Sequence, residues 1–216
     1  MIDILKNTIE YQNFGWNLLT FSAIATIIFT IALFRVGLLN QLKTVLQEGI
    51  KTGSAGKSVS VSWNTYFVFL YAVILLYGFH IKSLAVIFNG ILLALGHLAV
   101  LLSLYRYKKI ILYEKYLILL FVFLPLVMIM SPLKAWVYFF SQIGGVIMVI
   151  FQPIEIWKNR DIGNIDKRFI VAYLVNVSFW LIYAFAIKDW AIGSVTAAYT
   201  VLYIITLGLC YRFKPK

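Results

Sequence analysis

The chain has 216 residues, of which 62% are hydrophobic and 12% charged, with a formal net charge of +11. A soluble domain this apolar could not cover its surface with polar groups, so the composition calls for α-helices spanning a bilayer. The basic excess is not a nucleic-acid footprint, because the Lys and Arg residues sit in short loops between apolar runs, with no soluble basic domain to hold a duplex.

Residues 1–14 are polar and mixed in charge, with Asp3, Lys6 and Glu10; no signal peptide is evident, and the first span is expected to direct insertion. Apolar runs of about 20 residues then predict spans at 15–35, 63–81, 84–105, 111–131, 135–157, 169–187 and 190–211. Between the first two, the stretch opening Val36-Gly-Leu-Leu-Asn-Gln-Leu is expected to extend the first helix into the interface before a turn at Gly53-Ser-Ala-Gly56. The fourth span begins with Glu114 and Lys115, where Tyr113 and Tyr116 read as an interfacial belt. In the fifth, Pro153 removes a backbone donor near the inner end, which predicts a kink and, with Gln152, an inner hinge. Glu155 is expected to pair with Lys158. Trp16, Trp63, Trp136, Trp157 and Trp190 lie near span ends and read as belt residues; Trp180 lies well inside its span. The single cysteine, Cys210, permits no internal disulfide and reads as a small apolar residue near a helix end.

One segment of the sequence occurs twice, 106 residues apart. Tyr77-Gly-Phe-His-Ile-Lys82 returns as Tyr183-Ala-Phe-Ala-Ile-Lys188, and each copy leads into an apolar run ending in a basic cluster, Tyr105-Arg-Tyr-Lys108 and Tyr211-Arg-Phe-Lys214. The copies are identical at 9 of 32 ungapped positions, and their shared polar ends are harder to ascribe to apolar composition than the matches within the runs. With the N-terminus outside, only Lys6, Lys82, Lys134 and Lys188 of the 19 Lys and Arg residues fall on the outer side, so the charge asymmetry favours N-out, C-in. Both copies then end in the cytoplasm and are parallel. Two parallel three-helix units need an odd number of helices between them, and one is present. The expected fold class is an all-α integral membrane protein of 3+1+3 helices: residues 1–108 as the first bundle, 109–133 as a linker helix and 134–216 as the second bundle.

Polar residues deep in a span are costly unless paired and mark candidate sites. They are Asn89 and His97 on the third helix, Ser141 and Gln142 on the fifth, Asn176 and Ser178 beside Trp180 on the sixth, and Ser194, Thr196 and Thr200 on the seventh. An Asn offers a carbonyl acceptor and two amide donors, which suits hydroxyl-rich solutes, and Trp180 offers an apolar face for a ring plus an indole donor. A Ser or Thr in a membrane helix most often bonds its own backbone, the favoured reading for Ser178 and Thr200; an interhelical hydrogen bond explains His97 equally well. Apart from Glu155 at a boundary, no Asp or Glu lies deep in a span, which favours facilitated diffusion over proton coupling. No metal-ligand spacing, phosphate loop or nucleophile–base pair is visible, so neither a cofactor nor enzymatic chemistry is expected.

Taken in order, these features resemble the PQ-loop superfamily, most closely its SWEET branch of sugar facilitators. The carrying stretch is Gln152-Pro-Ile-Glu-Ile-Trp-Lys-Asn-Arg-Asp-Ile-Gly-Asn-Ile-Asp166, followed by Trp180-Leu-Ile-Tyr183 and Asp189; in the first half it is Gly56-Lys-Ser-Val-Ser60, Tyr77-Gly78 and Asn89. The resemblance implies alternating access around a solute held between the triplets by Asn89 and Trp180, with Asn176, Thr196, Ser178 and Ile74 at lining positions. Ile74 stands where a SWEET often has a first-half tryptophan, and Thr196 where a second-half asparagine is expected; Gln152-Pro153 inverts the family dipeptide, and Asn40-Gln41 lacks a proline. The implied partners are a small neutral sugar and membrane lipid, in a plasma or bacterial inner membrane, with self-association into a homo-oligomer left open. Two other readings stay open: a vitamin or nucleoside facilitator of the Pnu type, and a sorting receptor like the KDEL receptors, which would need buried charge such as Arg35 at the edge of the first helix.

Overall fold

A computed structural model describes residues 5–52, 61–107, 112–160 and 167–213. A helix forms in each predicted apolar run, the first beginning at Leu18 rather than at 15: α1 (Ile9–Gln12), α2 (Leu18–Leu33), a π-helical turn at Phe34–Leu38, α3 (Leu39–Thr52), α4 (Val61–Ile81), α5 (Leu84–Tyr107), α6 (Leu112–Met130), α7 (Lys134–Asn159), α8 (Lys167–Ile187) and α9 (Trp190–Arg212). Among the described residues, six helical stretches are long and apolar enough to cross a membrane, the first of them running unbroken from Leu18 to Lys51. At 1.5 Å per residue it is about 51 Å long, well beyond a hydrocarbon core of about 30 Å. Its polar second half, α3, is the expected extension. The expected turn at 53–56 and the loops at 56–60 and 161–166 lie outside the described residues.

The chain divides into two compact units, Thr30–Val137 and a discontinuous one of Met1–Phe29 with Tyr138–Lys216. In the first, α4 packs along α5 and also against α6. Its core at one end is Val45, Val61, Val100, Leu101 and Leu104, which joins α3 to the α4–α5 hairpin. Glycines allow the close approaches. A Cβ on Gly96 would fall 2.7 Å from the Phe34 ring, so α5 seats the π-turn there. At the end of α6, the Lys134 ammonium donates to the carbonyls of Met128 and Ile129, where the unsatisfied helix end favours a cation.

In the other unit α8 and α9 form the central hairpin. Ile170, Val177 and Tyr203 anchor it, with Val149 of α7 packed against them. Ile156 of α7 also meets buried Cys210 of α9. The part of α2 up to Phe29 joins through Phe179, whose ring stacks on Phe29 at 5.3 Å and meets Phe21 edge-on at 5.9 Å. Phe21, Ile204, Phe185 and Leu119 are among many large apolar side chains left exposed, as befits helices solvated by lipid rather than water.

The 106-residue echo is reproduced in backbone geometry. Lys82 and Lys188 both take left-handed conformations, φ 55° and 56°. The next amide in each copy closes back on the helix, Ser83 N to Gly78 O at 2.9 Å and Asp189 N to Ala184 O at 3.0 Å. Ser83 and Asp189 then cap the following helix by accepting from the amides of Val86 and Ile192. Both hairpins therefore use the same turn, a helix stop and a helix start within two residues.

Candidate functional site

The residues expected to bind solute fall on α4 and α5 of one unit and on α8 and α9 of the other. On α5, Asn89 is half-buried about 7.5 Å from the helix start. The Thr30 hydroxyl donates to its carbonyl oxygen at 3.4 Å, leaving the two amide donors of Asn89 without a hydrogen bond to any described residue. Ile74 of α4 is buried in the same unit. Eight positions beyond Asn89, His97 pairs through Nδ1 with Asn64 Oδ1 at 3.0 Å, and its ring is nearly parallel to those of Phe67 and Tyr71, with centroids 5.0 and 5.5 Å away. His97 is thus the interhelical hydrogen bond that the sequence allowed.

On α8, Trp180 is 7% exposed and meets Tyr183 edge-to-face, ring centroids 5.7 Å apart. One turn away, Asn176 Oδ1 is fully buried with no hydrogen-bond partner among the described residues. An orphaned buried carbonyl of this kind costs about 1–3 kcal/mol and is satisfied by any donor that reaches it. The Ser178 hydroxyl donates to Leu174 O at 2.7 Å, the bland reading of that residue. On α9, Thr196 is also turned back onto its helix, donating to Ile192 O at 2.8 Å and Gly193 O at 3.2 Å, and Thr200 does the same to Thr196 O. Ser141 and Gln142 of α7 are buried.

Pro153 is buried inside α7, which continues as helix to Asn159; Gln152 lies in the same helix and its side chain is outside the described residues. The expected Glu155–Lys158 pair is not made: both side chains are exposed, where solvated charges gain little from pairing, and among the described residues no ion pair links them. Arg35 is exposed in the π-turn and supplies no buried charge for a peptide carboxylate.

Sequence reasoning missed two buried acids. Glu114 is buried in the first turn of α6, where a helix N-terminus favours negative charge. Glu10, assigned to a polar leading segment, is 8% exposed and accepts the Tyr183 hydroxyl at 2.6 Å. No local signal marked it, since Tyr183 lies 173 positions away.

No family model and no curated protein matches the chain. Its fold does have a solved counterpart, a eukaryotic SWEET transporter determined at 3.7 Å, with a TM-score of 0.74 at 15% identity over 90% of this chain and 96% of that one. The helical hairpins, their order and their apolar surfaces thus assemble into the helical membrane fold of a SWEET transporter.

Proposed function

We propose that the chain is a SWEET-like uniporter that moves a small neutral sugar across a plasma or bacterial inner membrane by alternating access. The observation that carries the reading is the shared fold, which extends over 90% of the chain and nearly the whole of the SWEET transporter it matches. The polar groups add chemical support. In hydrocarbon the uncommitted amide donors of Asn89 would be costly, so they are assigned to a solute's hydroxyl or ether oxygens, and the buried Asn176 carbonyl to a solute hydroxyl. Trp180 supplies the apolar face for the ring. Thr196 and Ser178, committed to their own helices, contribute shape, as does Ile74. The membrane arrangement that goes with this reading has α6 as the linker between two parallel three-helix bundles, N-terminus out and C-terminus in, with Pro153 of α7 as the inner hinge.

Counterflow in proteoliposomes tests it. Labelled mono- and disaccharides should exchange across vesicles, and Trp180→Ala should abolish exchange while the protein remains folded. Exchange of nucleosides or vitamins with none of the sugars would transfer the reading to a different cargo. Sugar exchange undiminished in Trp180→Ala would remove Trp180 from the site.

A further inference from the structure

The segment ahead of α2 is tied to α8 by a buried bond. Tyr183 has no exposed surface, and its hydroxyl donates to Glu10 Oε1 at 2.6 Å, at the short end of the range for O–H···O bonds. The segment is built to hold Glu10 in place. The buried Thr8 hydroxyl bonds Leu5 O at 2.8 Å, and Asn13 and Asn17 each donate to a carbonyl four residues earlier. Asn17 Oδ1 accepts from Thr20 N at 2.8 Å and Gly15 N donates to Thr20 Oγ1 at 3.2 Å, which staples the segment to the first turn of α2. The Tyr183 ring in turn meets the Trp180 indole at an interplanar angle of 86°. Glu10, Tyr183 and Trp180 therefore form one chain of contacts within a single compact unit. The other hairpin has no need of such a brace: three positions before its matching Tyr77 stands Ile74, with no indole to orient.

We propose that Glu10 is a positioning residue for solute binding. It fixes the Tyr183 hydroxyl, Tyr183 fixes the plane of the Trp180 indole, and the N-terminal segment thereby sets solute affinity from outside the spans. An indole free to turn must be ordered by each solute that binds, and that ordering is subtracted from affinity. The inference rests on Trp180 being a solute contact.

The experiment uses the full chain in proteoliposomes, with labelled glucose and labelled sucrose as probes and with half-saturation and maximal exchange rate measured separately. Glu10→Ala should raise half-saturation about three- to tenfold at an unchanged maximal rate. Tyr183→Phe should do the same, the double variant should be no worse than the larger single, and Glu10→Gln, which keeps an acceptor, should recover most of the affinity. Half-saturation unchanged in Glu10→Ala, or singles whose effects multiply, would overturn the proposal. A second readout needs no solute. In a variant keeping Trp180 alone of the six tryptophans, time-resolved fluorescence anisotropy should show the indole gaining fast motion on Glu10→Ala; identical decays would overturn the proposal even if neither sugar exchanges. Sugar exchange that survives Trp180→Ala would defeat the underlying site reading. Loss of exchange in Trp180→Ala, with Glu10→Ala unaltered in both readouts, would defeat the inference about Glu10 alone.

Discussion

Replacing Gly90 with alanine should force α4 and α5 apart. A methyl there would come within 2.6 Å of the Leu75 amide nitrogen and 2.7 Å of its Cα, backbone atoms that no rotamer change moves. Gly78 imposes the same constraint from α4, its Cβ position lying 2.7 Å from the Ile87 amide nitrogen. Reaching ordinary carbon contact requires about 1 Å of separation, and overpacking of this kind costs up to about 3 kcal/mol. Alanine recovers about 1 kcal/mol of helix propensity over glycine, so the net loss is up to about 2 kcal/mol. For a chain of this size that lowers the thermal midpoint by up to about 8 °C. The assay is helical circular dichroism on heating in one detergent, with Gly208→Ala as control. Gly208 is exposed and has nothing within 4 Å of its Cβ position, so alanine there should leave the midpoint unchanged or raise it. A Gly90→Ala protein melting at or above the Gly208→Ala control would refute the close-packing account of the first hairpin.

Two further outcomes follow from the hydrogen bonds and turns. Asn64→Ala and His97→Phe each remove the 3.0 Å interhelical bond, and a double-mutant cycle on unfolding should give a coupling of about 0.6–1.7 kcal/mol; zero coupling would show that the bond contributes nothing beyond packing. Lys82→Gly and Lys188→Gly relieve left-handed backbone at φ 55° and 56°, and each should stabilise by about 0.5–1 kcal/mol, equally in the two copies; a loss at either position would mean that its lysine side chain holds the turn.

The helices of this protein are written in its sequence. An apolar run of about 20 residues has one way to satisfy its backbone in lipid, and the helices from Val61 to Arg212 begin and end within two residues of the predicted runs. The repeat was legible for a related reason. Lys82 and Lys188 hold the same place between an apolar run and a capping Ser83 or Asp189, and local chain chemistry is enough to make both turns alike. Hydroxyls were half legible: Ser178 bonds its own helix as membrane helices commonly permit, but Thr196, chosen from a family position, does so too. The sequence did not reveal which polar groups have partners. Hydropathy sums over neighbours in the chain, whereas the Thr30–Asn89 and His97–Asn64 bonds depend on which helix faces come together. The Gly90 approach to Leu75, the seating of the π-turn against Gly96 and the burial of Glu10 under Tyr183 are likewise products of packing between distant segments. Composition and run length specified a helix wherever an apolar run was long enough; only the tertiary structure decided that an acid in the polar leading segment would be buried against the second hairpin, because that outcome requires two residues 173 positions apart to meet.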